Sequence, residues 1–175
     1  MAEQDMSALV ILVPEAEPIV GAFRTRFDTS AIAGLGAHIT ILAPFIPPGS
    51  LSQTHVSDLR TLFAGHPAFE FSLVGLCGFS SVLYLAPEPL ISFDALTQAT
   101  TARFPQHPPY GGVFASSVPH LTVAQQPPAE DLEAVAGSVL SATAMHLPIN
   151  CSANEVALAF RRNDRWSVQE CFALA

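Results

Sequence analysis

The chain of 175 residues contains no lysine. Its strong cations are seven arginines, set against 15 acidic residues for a net charge of −8. Such a balance repels a long polyanion. A long duplex nucleic acid is therefore not an expected partner, whereas a small phosphorylated ligand is compatible. Three cysteines (Cys77, Cys151, Cys171) are odd in number and none stands in C-x-x-C spacing. They fit neither a secreted disulfide framework nor a zinc knuckle, and buried, reduced thiols are expected instead. Despite a mean hydropathy of +0.39, no apolar run reaches the roughly 18 residues that a spanning helix needs, so no membrane association is expected. The opening Met1-Ala2-Glu3-Gln4-Asp5 is acidic where a secretory leader would be basic, and a cytoplasmic protein is expected.

What is present is enough apolar material to fold. Half of the residues are hydrophobic and 13% are charged, which excludes a disordered chain. Fifteen prolines and ten glycines are scattered rather than clustered, giving frequent turns and no linker. The length suits one domain or two closely packed lobes.

Hydrophobic periodicity predicts the order of elements. Ser7 to Val13 is an apolar run stopped by Pro14, and reads as a buried strand. From Glu15 to Phe27, Ile19, Val20, Phe23 and Phe27 recur at helical steps, with acids first and Arg24 and Arg26 last, as the helix dipole favours. Ala37 to Leu42 is a second strand, Leu51 to Gly65 a second helix, and Phe69–Leu76 with Val82–Leu85 a strand pair closed by Pro87-Glu88-Pro89. A helix over Leu90–Phe104 leads through a Pro- and Gly-rich loop to a strand over Val118–Ala124. A helix near 129–143, a strand near 149–160, the polar turn 161–165 and a last strand from Trp166 to Leu174 complete the chain.

This order repeats. Strand, helix and a strand bearing His-x-Thr occur in each half, at His38-Ile39-Thr40-Ile41 and at His120-Leu121-Thr122-Val123. Two copies suggest two similar lobes related by a pseudo-twofold axis. Side chains alternate along a strand, so His38 and Thr40 share one face while Ile39 and Ile41 share the other, and His120 and Thr122 do the same. Facing lobes would bring two imidazoles and two hydroxyls into one cleft. Two histidines can divide proton work at a phosphate: one neutral ring takes the proton of the attacking oxygen, and one imidazolium protonates the leaving oxygen. Threonine hydroxyls can hydrogen-bond the non-bridging oxygens, and no metal or other cofactor is then required.

The paired tetrapeptides, about eighty residues apart, resemble the two signature motifs of the 2H phosphoesterase superfamily. The likeness is to its branch of bacterial 2'-5' RNA ligase-like proteins and cyclic phosphodiesterases. Tyr110-Gly-Gly-Val-Phe114 before Val118-Pro-His-Leu-Thr122, and the closing hairpin with Trp166, are similar to that branch as well. The resemblance implies a single bilobal α+β domain over 1–175, with two pseudo-symmetric lobes, antiparallel sheets lining a central groove and helices outside. It implies metal-independent chemistry on 2',3'-cyclic phosphates, 1'',2''-cyclic phosphates or 2'-5' linkages. His38 and His120 would be acid and base, and Thr40 and Thr122 would bind the phosphate. The partner would be a nucleotide or RNA terminus bearing a cyclic phosphate or 2'-5' linkage. With no lysine, only Arg24, Arg26, Arg60, Arg103, Arg161, Arg162 and Arg165 could help hold it, which favours a nucleotide-sized substrate.

Tyr110 is a candidate substrate contact through stacking on a base or ribose, and Phe114 is read as core. Arg161, Arg162 and Arg165 read as a solvated hairpin tip, Trp166 as the anchor of that hairpin, and His55, His66, His107 and His146 as surface residues. The closed two-lobe design completes its own cleft, so a monomer is expected. The alternative reading is a non-catalytic nucleotide- or RNA-end-binding module on the same fold.

Overall fold

The computed structural model of the chain describes residues 5–79, 81–113, 117–125 and 131–175. The first apolar run becomes strand β1 (Met6–Leu12), and a single 3-10 turn at Pro14–Ala16 leads into helix α1 (Glu17–Phe27). A short helix α2 (Thr29–Ile32), capped by the Asp28 carboxylate, precedes strand β2 (His38–Leu42). Helix α3 (Gln53–Ala64) begins at a capping box between Ser52 and His55 and buries Val56, Leu59 and Phe63, which gives it one apolar stripe. Strands β3 (Phe69–Phe79) and β4 (Val82–Glu88), helix α4 (Ile91–Arg103), strand β5 (Leu121–Gln125) and helix α5 (Leu132–Thr143) follow. The chain ends in strands β6 (Ile149–Ala153), β7 (Glu155–Arg162) and β8 (Arg165–Ala173).

Among the described residues two four-stranded sheets result, ordered β2-β1-β7-β8 and β5-β4-β3-β6, with every pairing antiparallel. Each His-x-Thr element is an edge of its sheet, beside the strand that precedes it in the chain. In the first sheet Ile11, Ile39, Ile41 and Leu158 face the helices and join the main core. Val10, Ala8 and Ala157 form a small cluster on the opposite face, where Leu12, Ala43 and Trp166 pack against them. The α+β architecture with helices outside two antiparallel sheets is the one the resemblance implied.

The helices are exchanged between sheets. Helix α1 leaves the first sheet yet packs on β5 of the second, beside α5, which contacts β3. Helix α4 leaves the second sheet yet packs on β2 of the first, beside α3, which contacts β8. The helix-facing buried apolar side chains of the two sheets accordingly form one continuous cluster.

Several sequence-based boundaries require correction. The strand expected over 149–160 is two: β6 ends at Ala153 and β7 starts at Glu155 in the other sheet. Both pieces are apolar, so hydropathy alone does not reveal the crossing. The first sheet is therefore not built from the first half of the chain; β7 and β8 complete it. Strand β4 runs through Pro87 to Glu88, and the second motif's strand starts at Leu121, one residue after His120. Cys151 is buried, but Cys77 and Cys171 are exposed. Cys77 lies on the part of β3 beyond Leu73, where pairing with β6 has ended, and Cys171 lies on the sheet-edge strand β8. Phe114 and the first residues expected of the 129–143 helix lie outside the described residues. Among the described residues, no helix is long and apolar enough to cross a membrane.

Candidate active site

The register of β1 with β2 pairs Leu12 with His38 and Val10 with Thr40. This puts His38 and Thr40 on the face away from the helices, as strand alternation requires. On the second sheet Thr122 pairs with Tyr84, which pairs in turn with Cys77. Strands β2 and β5 contact each other, so the two edges carrying the motifs meet.

Both imidazoles are fixed in the same way. His38 Nδ1 lies 2.8 Å from the Gly36 carbonyl oxygen, and His120 Nδ1 lies 2.7 Å from that of Val118. A carbonyl only accepts, so Nδ1 carries the proton in each ring and Nε2 of the neutral form is left as an acceptor. The carbonyl two residues upstream thus sets the tautomer twice, once per motif. Burial pushes the pKa of His38 below 6.5; the Gly36 carbonyl opposes this, Arg24 adds to it, Asp28 opposes it, and the charge of His120 adds to it. Burial also lowers the pKa of His120, against the Val118 carbonyl. Thr122 is buried and Thr40 half-buried.

The sequence presents Arg24 as a cation available to phosphate, and the structure overturns this. Its side chain is 1% exposed and pairs with the fully buried Asp28 at 2.8 Å. Its Nε donates to the Thr122 carbonyl at 3.1 Å, and its other nitrogens reach the Leu35 carbonyl at 3.4 Å. One guanidinium therefore holds the strand of the second motif against the loop that enters the first. The i,i+4 spacing of Arg24 and Asp28 is the available sequence signal. Its counterpart across the pseudo-axis is lighter: Thr97 Oγ1 of α4 donates to the Ile41 carbonyl at 3.1 Å.

Sequence reasoning also misses an aromatic wall beside His120. Phe79 lies edge-on to that ring at 5.1 Å and Tyr84 at 5.5 Å, with Phe79 43% exposed. The strand expected from sequence stops at Leu76, which leaves Phe79 in a turn. Tyr110 sits elsewhere: its backbone N–H donates to the Ala43 carbonyl at 2.7 Å. It lines a cavity against α4 that none of the four motif residues line, and burial raises its phenol pKa.

Arg161, Arg162 and Arg165 do sit at a hairpin tip, around a two-residue turn with Asn163 and Asp164 at positive φ. Trp166 packs on the small cluster of its sheet. His146 is exposed, but the other three histidines outside the motifs are half-buried. His55 caps α3, His66 Nδ1 meets the Leu62 carbonyl, and His107 packs on Phe45. Among the described residues no cluster of three His, Cys, Asp or Glu is placed to hold a metal ion.

Comparison with known proteins gives a consistent result. Residues 12–165 match the family model described as "2'-5' RNA ligase superfamily". A Staphylococcus aureus (strain Newman) protein named "Putative phosphoesterase" is 29% identical over 162 residues, covering 89% of this chain and 90% of its own. Among solved structures, E. coli LigT complexed with 3'-AMP superposes with a TM-score of 0.61 at 18% identity over 99% of both chains. A Thermus thermophilus protein, TT0787, superposes with a TM-score of 0.57 at 14% identity over 97% of both. At these identities the structural matches establish the fold.

Proposed function

This chain belongs to the 2'-5' RNA ligase superfamily, and from that premise we propose that it is a metal-independent phosphodiesterase in which His38 and His120 work as an acid–base pair. The observation that carries the proposal is the duplicated His-x-Thr, with each imidazole held by a carbonyl two residues upstream. For a 2',3'-cyclic phosphate, one neutral Nε2 takes a proton from water as its oxygen bonds to phosphorus. The imidazolium of the other ring gives its proton to the departing ribose oxygen, and the product is a phosphomonoester. The Thr40 and Thr122 hydroxyls donate to the non-bridging oxygens. In a 2'-5' linkage the same pair cleaves or joins, with the roles exchanged.

A nucleotide-sized substrate fits the low basicity, and the LigT structures that contain 3'-AMP, NADP+ and ATP support nucleotide recognition by this fold. Phe79 supplies a ring for a base next to His120. Tyr110 is proposed to contact the part of the substrate remote from phosphate, from a loop tied to the end of the Thr40 strand. The test is incubation in EDTA with 2',3'-cyclic nucleotides, ADP-ribose 1'',2''-cyclic phosphate and 2'-5' oligonucleotides. Turnover of at least one class is expected. Phe79→Ala should raise KM for it about tenfold, since base–aromatic stacking contributes roughly 1–3 kcal/mol. Silence of a folded protein across the panel would favour the binding module.

The lowered histidine pKa values set the pH dependence. In the free enzyme the base is lost by protonation on the acid side and the acid by deprotonation on the alkaline side. With both groups below 6.5, the bell of kcat/KM is expected to peak below pH 6.5. The kcat profile should peak at higher pH, because bound phosphate favours an imidazolium. A kcat/KM maximum above pH 7.5 would contradict this assignment.

A further inference from the structure

The chain between α4 and β5 is fastened to the exit of the first motif strand. Phe45, just past β2, packs edge-on against Phe104 at 5.1 Å and His107 at 5.8 Å. Three residues further on, the Tyr110 N–H donates to the Ala43 carbonyl at 2.7 Å. At Tyr110 the backbone takes φ 52° and ψ 32°, the left-handed region that a bulky side chain rarely enters. Such a conformation persists only where the surrounding contacts hold it. Here contacts hold the residue at both ends: its N–H is on Ala43, and its hydroxyl shares a hydrogen bond with the side chain of Ser117. The half-buried ring and Ser117 line the same cavity against α4.

Ser117 opens the segment that enters the second motif. Val118 follows, and its carbonyl lies 2.7 Å from His120 Nδ1. Pro119, between Val118 and His120, is buried. A proline ring fixes its own φ and confines the preceding residue to extended conformations, so the run from Ser117 to His120 is stiff, and a contact made at Ser117 bears on the direction of the Val118 carbonyl. The first motif is approached in the same way. There Arg24 reaches the carbonyl of Leu35, three residues ahead of His38, as Ser117 stands three residues ahead of His120.

We propose that Tyr110 is the positioning residue of the second motif: its hydroxyl holds Ser117 and thereby keeps the Val118 carbonyl on the His120 ring, as Arg24 does for the approach to His38. The inference rests on the catalytic reading of His120, and it gives the Tyr110 hydroxyl a task separate from any stacking by its ring.

Tyr110→Phe keeps the ring and removes the hydroxyl, and Ser117→Ala removes the other half of the pair. Each should lower kcat about tenfold with KM little changed, the upper scale of one neutral hydrogen bond, and the double variant should lose no more than either single one. A second readout needs no substrate. The Val118 carbonyl holds the His120 pKa up against burial, so loosening it should move the His120 titration, followed by NMR, to lower pH, with a smaller change at His38. The titratable groups that face His120 are Tyr84 at 5.5 Å and, through its charge, His38, and both remain in these variants. Thermal melts establish folding, and Ser117→Ala carries the test if Tyr110→Phe does not fold. An unchanged His120 titration in the folded variants, or equal shifts of both rings, would overturn the proposal. So would a raised KM with unchanged kcat in Tyr110→Phe, the mark of a substrate contact. If His120 shifts as expected while the wild type turns over no substrate, the positioning role stands and the catalytic reading falls.

Discussion

Replacing either His38 or His120 by alanine should lower kcat/KM for the substrate class that turns over by about 10²–10⁴, the range expected of one positioned acid or base. The fold should stay intact, because both rings are half-buried at the edge of a sheet and each makes one hydrogen bond to its own loop. The two losses should not simply multiply: once one partner of a concerted proton transfer is gone, removing the second costs less. Asparagine offers a sharper test. It can keep a bond to the Gly36 or Val118 carbonyl but cannot shuttle a proton at neutral pH, so His→Asn should be as inactive as His→Ala. If either His→Ala variant kept wild-type kcat/KM, that ring would have no part in proton transfer. If His→Asn restored activity, the histidines would be positioning groups only.

Arg24→Leu should be the most destabilising single substitution in the neighbourhood of the site. It leaves the fully buried Asp28 carboxylate without its partner and removes donors from two carbonyls far apart in the chain, Leu35 and Thr122. Breaking a buried pair from one side costs roughly 3–5 kcal/mol, a large share of the roughly 5–15 kcal/mol typical of a domain. Asp28 also caps α2 and accepts from both the Ser30 N–H and Oγ, so Arg24→Leu/Asp28→Asn should recover part of the loss. Urea denaturation of the three proteins measures this, and a loss below about 1 kcal/mol in the single variant would show that the network is not a stability element. A second readout separates electrostatics from packing. Because the Arg24 charge pushes the His38 pKa down and the Asp28 charge pushes it up, Arg24→Leu should move the His38 titration to higher pH by NMR.

The motif strands and the helices before them are legible because their signals are local. Alternation at His38–Ile41 and the three- and four-residue steps of Ile19, Val20, Phe23 and Phe27 depend on near neighbours. Sheet membership is not. Nothing in Ile149–Phe160 announces that the chain changes sheets at Asn154, since both pieces bury apolar residues to similar depth. Arg24 is misplaced for a related reason. A basic residue in a helix's last turn is usually solvated, and only the partners on β5 and in the 28–35 loop reveal that it is buried. Phe79 becomes visible only with the full length of β3, which overhangs β6 and brings its tip to His120. The four motif residues can be named from sequence because the repeat supplies an internal control that a single His-x-Thr lacks.

The exchange of α1 and α4 between the sheets has a mechanical consequence. Clamshell enzymes seize substrate by swinging two bodies about a hinge, and that motion needs a seam with few contacts. Here each jaw is bolted to the other by a helix that starts on one sheet and is packed on the other. Arg24 on α1 and Thr97 on α4 fasten each bolt to the backbone of a motif strand. Prising the jaws apart would tear both helices from the core. The two sheets are therefore held at a spacing fixed when the chain folds, and under the proposed function discrimination among substrates is expected of the side chains and loops between them rather than of a hinge.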